Sequence, residues 1–327
     1  MNTSSENKTQ QPNIIQAMLA GFNTIANKPY LMLFPIMLDL FLWFGPAWRV
    51  VNYFQPLIQS LAKLPGLENP EYAEAIKNFQ IIWQEIILNF NLALSLRTLP
   101  IGVPSLMVSK PAFINPLGKP LIFNLGTDLQ ILGFWFLFLI VGYVLGSLYF
   151  KNISGQIIEL NQKSTFEAFI RTFFQIILMP VLLIIILLIL SIPLFFLITL
   201  VTLISPAISQ FILIVIAIAL IWTLMPLIFT PHAIFLYKQN LIAAMMTSIS
   251  VVKTTMGKTA WFILMSFVLI EGMDYLWRTP SADNWFLLVG IFGHAFIVTA
   301  VIASSFHFFI DATKFAQSIV NHNMKPT

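Results

Sequence analysis

The chain has 327 residues, 58% of them hydrophobic and only 9% charged, with a formal net charge of +4 and no cysteine. Soluble domains run about 45–50% apolar and about 25% charged, so this composition excludes a disordered chain and argues against a soluble enzyme. The net charge is too small to point to nucleic acid, and the missing thiols exclude disulfides, thiolate metal sites, iron–sulfur clusters and cysteine nucleophiles.

Residues 1–13 are polar and lack the basic-then-apolar pattern of a secretory signal, so the first apolar segment is expected to remain as a membrane helix. Residues 14–26 put Ile14, Ile15, Met18, Leu19, Phe22 and Ile25 on one helical face. The first spanning helix is expected at 30–48, with Pro35 and Asp39 inside it and Gly45 and Pro46 near its end. A central Asp costs about 2.5–3.5 kcal/mol on insertion scales, which the surrounding Leu, Phe and Met residues offset.

Residues 49–128 form an extracytoplasmic helical insertion. Two amphipathic helices are expected, one through Phe54, Leu57 and Ile58, the other through Phe79, Trp83 and Ile86, with a break around 65–70. Pro100, Pro104, Pro111, Pro116 and Pro120 then dictate an irregular return to the membrane.

Further spans are expected at 129–150, 173–200, 208–236, 259–277 and 285–310. Residues 172–237 contain no Asp, Glu, Lys or Arg, far more than the roughly 20 residues one crossing needs, so a turn is expected near Ser205 and Pro206. Two more amphipathic leads precede hairpins, at 165–174, opened by Ser164 and Glu167 at capping-box spacing, and at 241–252. The fold class is therefore all-α, a polytopic bundle of six transmembrane helices in three hairpins, each preceded by an in-plane helix on the cytoplasmic side. Residues 14–310 make one membrane domain and 311–327 a cytoplasmic tail.

Lys28, Lys151, Arg171, Lys238, Lys253, Lys258 and Lys314 fall on the side of the termini, against Arg278 alone in the short opposite loops. That bias places both termini in the cytoplasm and the protein in the inner (plasma) membrane. With the three leads, "KPYLMLFPIMLDLFLW" from Lys28 and "GIFGHAFIVTAVIASSFHFF" from Gly290, the plan resembles the six-helix membrane domain of some bacterial glycerophosphodiester phosphodiesterases and related uncharacterised membrane families. The resemblance covers most of the chain outside 49–128. It implies a fold plan, and no catalysis, because the soluble phosphodiesterase domain is absent from this sequence.

Ionisable residues at membrane depth are the candidate site. Asp39 lies roughly 14 Å along its helix from Tyr30, near the midplane, and His294 reaches a similar depth from the other face. Glu271, Asp274 and Arg278 share one face of the fifth span. Two readings follow: a buried Asp39–His294 site with Glu271 and Asp274 as an outer vestibule for protons or cations, or side chains that hydrogen-bond across helices and fix their packing. His232 and His307 are the candidate tetrapyrrole ligands, against a structural role. Gly142 and Gly146, and Gly293, Ala300 and Ser304, allow close packing within the bundle or in a homo-oligomer.

The chain has no phosphate-binding Gly-Lys-Ser/Thr loop, no His-Glu-x-x-His and no Gly-x-Ser-x-Gly. No enzyme activity and no cofactor are implied, and the expected partners are membrane lipids, with other membrane proteins or further copies possible. The function expected is to bind or move a small or lipid-like solute; the alternative is a non-enzymatic accessory subunit of a larger membrane complex.

Overall fold

A computed structural model describes residues 11–61, 70–110, 113–158 and 166–323. Most of the expected polar tail, most of the helix break at 65–70, Pro111, the Ser164 cap and the last four residues lie outside them. The described chain is an all-α bundle, with five helices long and apolar enough to cross a membrane and a sixth if one bent pair counts as a span.

Helix α1 (Ile14–Asn27) starts at Asn13, whose side chain accepts from the Ile15 and Gln16 N–H groups. Pro29, which has no N–H to continue the ladder, opens a 3-10 turn (Pro29–Met32) leading into α2 (Leu33–Phe44), and the path bends by 93° there. Strand β1 (Ala47–Arg49) leaves the end of α2 and pairs in parallel with β2 (Ile122–Asn124), which precedes α5 (Asp128–Ile157). The register Ala47↔Ile122, Trp48↔Phe123, Arg49↔Asn124 closes the neck of the insertion and brings α2 beside α5. Within the insertion lie α3 (Val51–Leu61), α4 (Pro70–Asn89) and two 3-10 turns (Leu92–Leu96 and Leu106–Ser109).

Ser205 and Pro206 make the expected turn: Ser205 caps α7 (Pro206–Leu224) and Pro206 takes its first position. A 3-10 turn (Met225–Leu227) leads on to α8 (Thr230–Tyr237), which ends at Lys238 with φ of 52°. Asn240 caps α9 (Leu241–Thr254), followed by α10 (Met256–Trp277) and α11 (Leu287–Asn323). The lead at 165–174 differs from expectation. From Phe166 onward it is continuous with α6 (Phe166–Ile204), a single helix of 39 residues. Glu167 lies in its first turn, and no breaker stands between Phe166 and Pro180 to end it.

Helix α11 is the centre, with 67% of its most apolar window buried, against 0% for α6 and for α7 with α8. The outward apolar side chains of α6 and α7 are covered by no other element among the described residues. Helix α1 lies against α11 at Gly21, where an added Cβ would come within 2.1 Å of Ser304 Oγ and 2.5 Å of the Ala300 carbonyl. Gly21→Ala must therefore push the two helices apart. Overpacking of this kind costs about 1–3 kcal/mol, and a thermal melt in detergent is expected to register it as a lowered Tm. Gly142 and Gly146 serve a different neighbour from the helix expected: they admit the backbone of the insertion, with Leu96 O 2.4 Å from a Cβ built on Gly142 and Ile101 O 3.1 Å from one on Gly146.

Candidate functional site: a buried polar layer beside an apolar cleft

Asp39 is fully buried and holds the insertion to α2. Ser105 Oγ donates to its Oδ1 at 2.5 Å, and the Leu106 and Met107 N–H groups donate at 3.2 and 3.3 Å. These donors open the 3-10 turn Leu106–Ser109, for which Ser105 is the cap. The carboxylate thus meets N–H groups that the turn itself leaves free, with the favourable end of the local dipoles toward it.

A second group joins the end of α10 to α11. His294 Nδ1 lies 2.6 Å from Asp274 Oδ1, with both side chains almost fully buried. Arg278 donates to Asp274 Oδ2 at 3.1 Å and pairs with Glu271 at 3.7 Å. The Trp277 ring covers Gly293, the residue before His294, where a Cβ would fall 2.6 Å from the indole. His294 Nε2, Trp277 Nε1 and Arg278 Nε are buried without a hydrogen-bond partner among the described residues.

Arg97, in the insertion, feels Asp39, Asp274 and Arg278 at once. Loss of water pushes its guanidinium below the ordinary arginine value, with Asp39 pulling the other way. It remains charged at any physiological pH. The α10–α11 loop is tied further to α2 by Trp43 Nε1 donating to Ala282 O at 2.7 Å, and to the insertion by Lys110 Nζ donating to Pro280 O.

The expected pairing of Asp39 with His294 is replaced by two separate sets of partners. His294 lies within electrostatic range of Asp39 but is hydrogen-bonded to Asp274. Asp274, expected in an outer vestibule, is 2% exposed and is engaged by His294 and Arg278; of the two acidic residues expected there, Glu271 is the exposed one. His232 Nε2 bonds Ser305 Oγ at 2.7 Å inside a box of Phe229, Phe306 and Phe309 rings, and His307 Nε2 meets Thr24 Oγ1 at 3.1 Å. Those contacts leave His232 no room for a macrocycle and use both rings to join helices.

In front of α2, away from Asp39, opens a cleft of about 530 Å³ between α2 and α5. Leu33, Phe34, Met37 and Phe41 form one wall and Leu137, Val141 and Leu145 the other. Leu38, Phe138, Leu96 and Val103 make a buried floor. Every lining residue is apolar, and Leu33, Met37, Leu137 and Val141 are exposed to the outside of the bundle. Sequence reasoning missed this cleft, Ser105 and Arg97: its walls come from α2 and α5, about a hundred residues apart in sequence, with β1 and β2 pairing beside them. Compared with protein-family models, curated proteins and solved structures, the chain matches none.

Proposed function

We propose that this protein is a binding module of the inner membrane, with both termini cytoplasmic, that takes the apolar chain of a lipid-like molecule into the cleft between α2 and α5. The cleft carries this reading. Its volume falls within the about 300–1,000 Å³ of small-molecule sites, its lining is wholly apolar, and it is reached sideways from the bilayer. The insertion supplies part of its floor through Leu96 and Val103, and Asp39 fixes the loop that carries Val103. The orientation rests on the bias of Lys and Arg toward the side of the termini.

Val141→Trp fills the cleft from its α5 wall, while Ile140→Trp adds the same ring on the neighbouring exposed face outside it. After purification through detergent exchange, mass spectrometry of extracted lipid is expected to find a retained amphiphile in the natural protein and in Ile140→Trp, and little in Val141→Trp. Equal lipid in all three contradicts the assignment. The alternative, an accessory subunit of a larger complex, draws on the uncovered faces of α6 and α7; a second polypeptide co-purifying in fixed ratio supports it.

A further inference from the structure

The pair α3 and α4 is built inside out. On α4, Phe79, Ile82, Trp83 and Ile86 recur at i, i+3, i+4 and i+7, the spacing of an apolar helix face made for burial. A soluble pair would turn that face toward its partner helix. Here it is turned away: the four side chains are 42%, 56%, 43% and 48% exposed. The seam with α3 is made instead by Gln80, Gln84 and Ile87 meeting Gln55, Ile58 and Gln59 around a gap of about 200 Å³. The outward apolar face and the glutamine seam are roughly 130° apart around the axis of α4.

Such an inversion suits a helix whose surroundings are more apolar than its neighbour. The place of the pair in the fold says which surroundings those are. Its last turn is fastened to the chain leaving α2: Arg49 Nη2 donates to Leu88 O at 2.9 Å, and Trp48 N–H donates to Asn91 Oδ1 at 3.0 Å. Trp48 itself packs on Phe123, Phe134 and Phe138 at the outer end of the cleft. At about 1.5 Å per residue, the face from Phe79 to Ile86 begins roughly 3 Å from that fastening and ends within roughly 14 Å of it. It is therefore held at the rim of the bundle, where the spanning helices meet the headgroups. Glu74, Lys77 and Glu85 keep α4 too polar to cross the membrane.

We infer that α3 and α4 lie in the lipid surface on the side of the α10–α11 loop, with Phe79, Ile82, Trp83 and Ile86 sunk among the headgroups and upper acyl chains. Interfacial helices embed their apolar face about 5–10 Å deep, with Trp at the level where its ring is half wet. The partner is thus the bilayer that already surrounds the bundle, not a soluble protein or a second copy.

The absence of cysteine from the chain makes the test clean. Ile82→Cys, Ile86→Cys and, on the opposite side of α4, Lys77→Cys are each labelled with a polarity-sensitive fluorophore. The full-length protein is reconstituted in liposomes with and without brominated phospholipid. Emission from positions 82 and 86 is expected to be blue-shifted and quenched at least about twofold by the brominated lipid, as for a side chain among acyl chains, and emission from position 77 to be little changed. Water-like, unquenched emission at 82 and 86 overturns the inference, because the face is then bare. Blue-shifted but unquenched emission also overturns it, in favour of a protein covering the face. Two outward positions guard against a local packing artefact, and each labelled protein is first checked for the natural elution profile.

Discussion

Asp39→Ala is expected to lower the Tm of the detergent-solubilised protein by roughly 5–10 °C, the equivalent of about 3 kcal/mol. The carboxylate is buried and gathers the Ser105 hydroxyl and the Leu106 and Met107 N–H groups, so its removal takes away the acceptor around which the turn is folded. Asp39→Asn keeps one carbonyl oxygen as an acceptor but brings an NH₂ group against donors, and a loss of about half that size is expected. Because Val103 hangs from the same loop and floors the cleft, Asp39→Ala is also expected to reduce retained lipid, whereas a purely local defect would leave it unchanged. A thermal scan beside lipid extraction of the same samples separates the two.

Asp274→Ala is the second substitution with a large expected effect. Asp274 accepts from both His294 and Arg278 and, like His294, is buried. Removing one partner of a buried charged set costs about 3–5 kcal/mol; the lower part of that range applies here, because Arg278 is partly exposed and keeps Glu271. The Tm is expected to fall by an amount comparable to that of Asp39→Ala. Glu271→Gln, which disturbs only the exposed contact, should move it by less than about 1 kcal/mol. If Glu271→Gln proved as damaging as Asp274→Ala, the ion-pair network rather than the buried His294–Asp274 bond would be holding α10 to α11.

Much of this fold was readable from the chain because lipid-facing helices are written in uninterrupted apolar runs. The turn at Ser205 and Pro206, the helix at 241–254 and the ends near Trp277 follow from local residues whose chemistry leaves little choice. Helix length was less readable. Glu167 sits in the first turn, but nothing between Phe166 and Pro180 marks an end, so a short lead and the start of a long helix look alike in sequence. For the polar layer, burial was legible and partnership was not. Asp39, Asp274 and His294 stood out as ionisable residues among apolar ones. The partner of Asp39 lies 66 positions away in a proline-rich stretch with no regular pattern, and it acts partly through backbone N–H groups that every sequence possesses. Asp274 looked superficial by its nearness to Trp277, but His294 of α11, 20 positions away in sequence, and Arg278 engage it in the interior. The glycines of α5 signalled close approach correctly and said nothing about what approaches.

The most direct measurement is photolabelling in liposomes with a phospholipid whose acyl chain carries a diazirine, followed by peptide mapping. Occupation of the cleft is expected to concentrate label on Phe34, Met37 and Phe41 of α2 and on Leu137 and Val141 of α5, above the level on the fully lipid-facing α6 and α7, with Val141→Trp abolishing the excess. Label spread evenly over α2, α5, α6 and α7, and unchanged by Val141→Trp, would mean that the cleft is ordinary bilayer-facing surface and holds no ligand of its own.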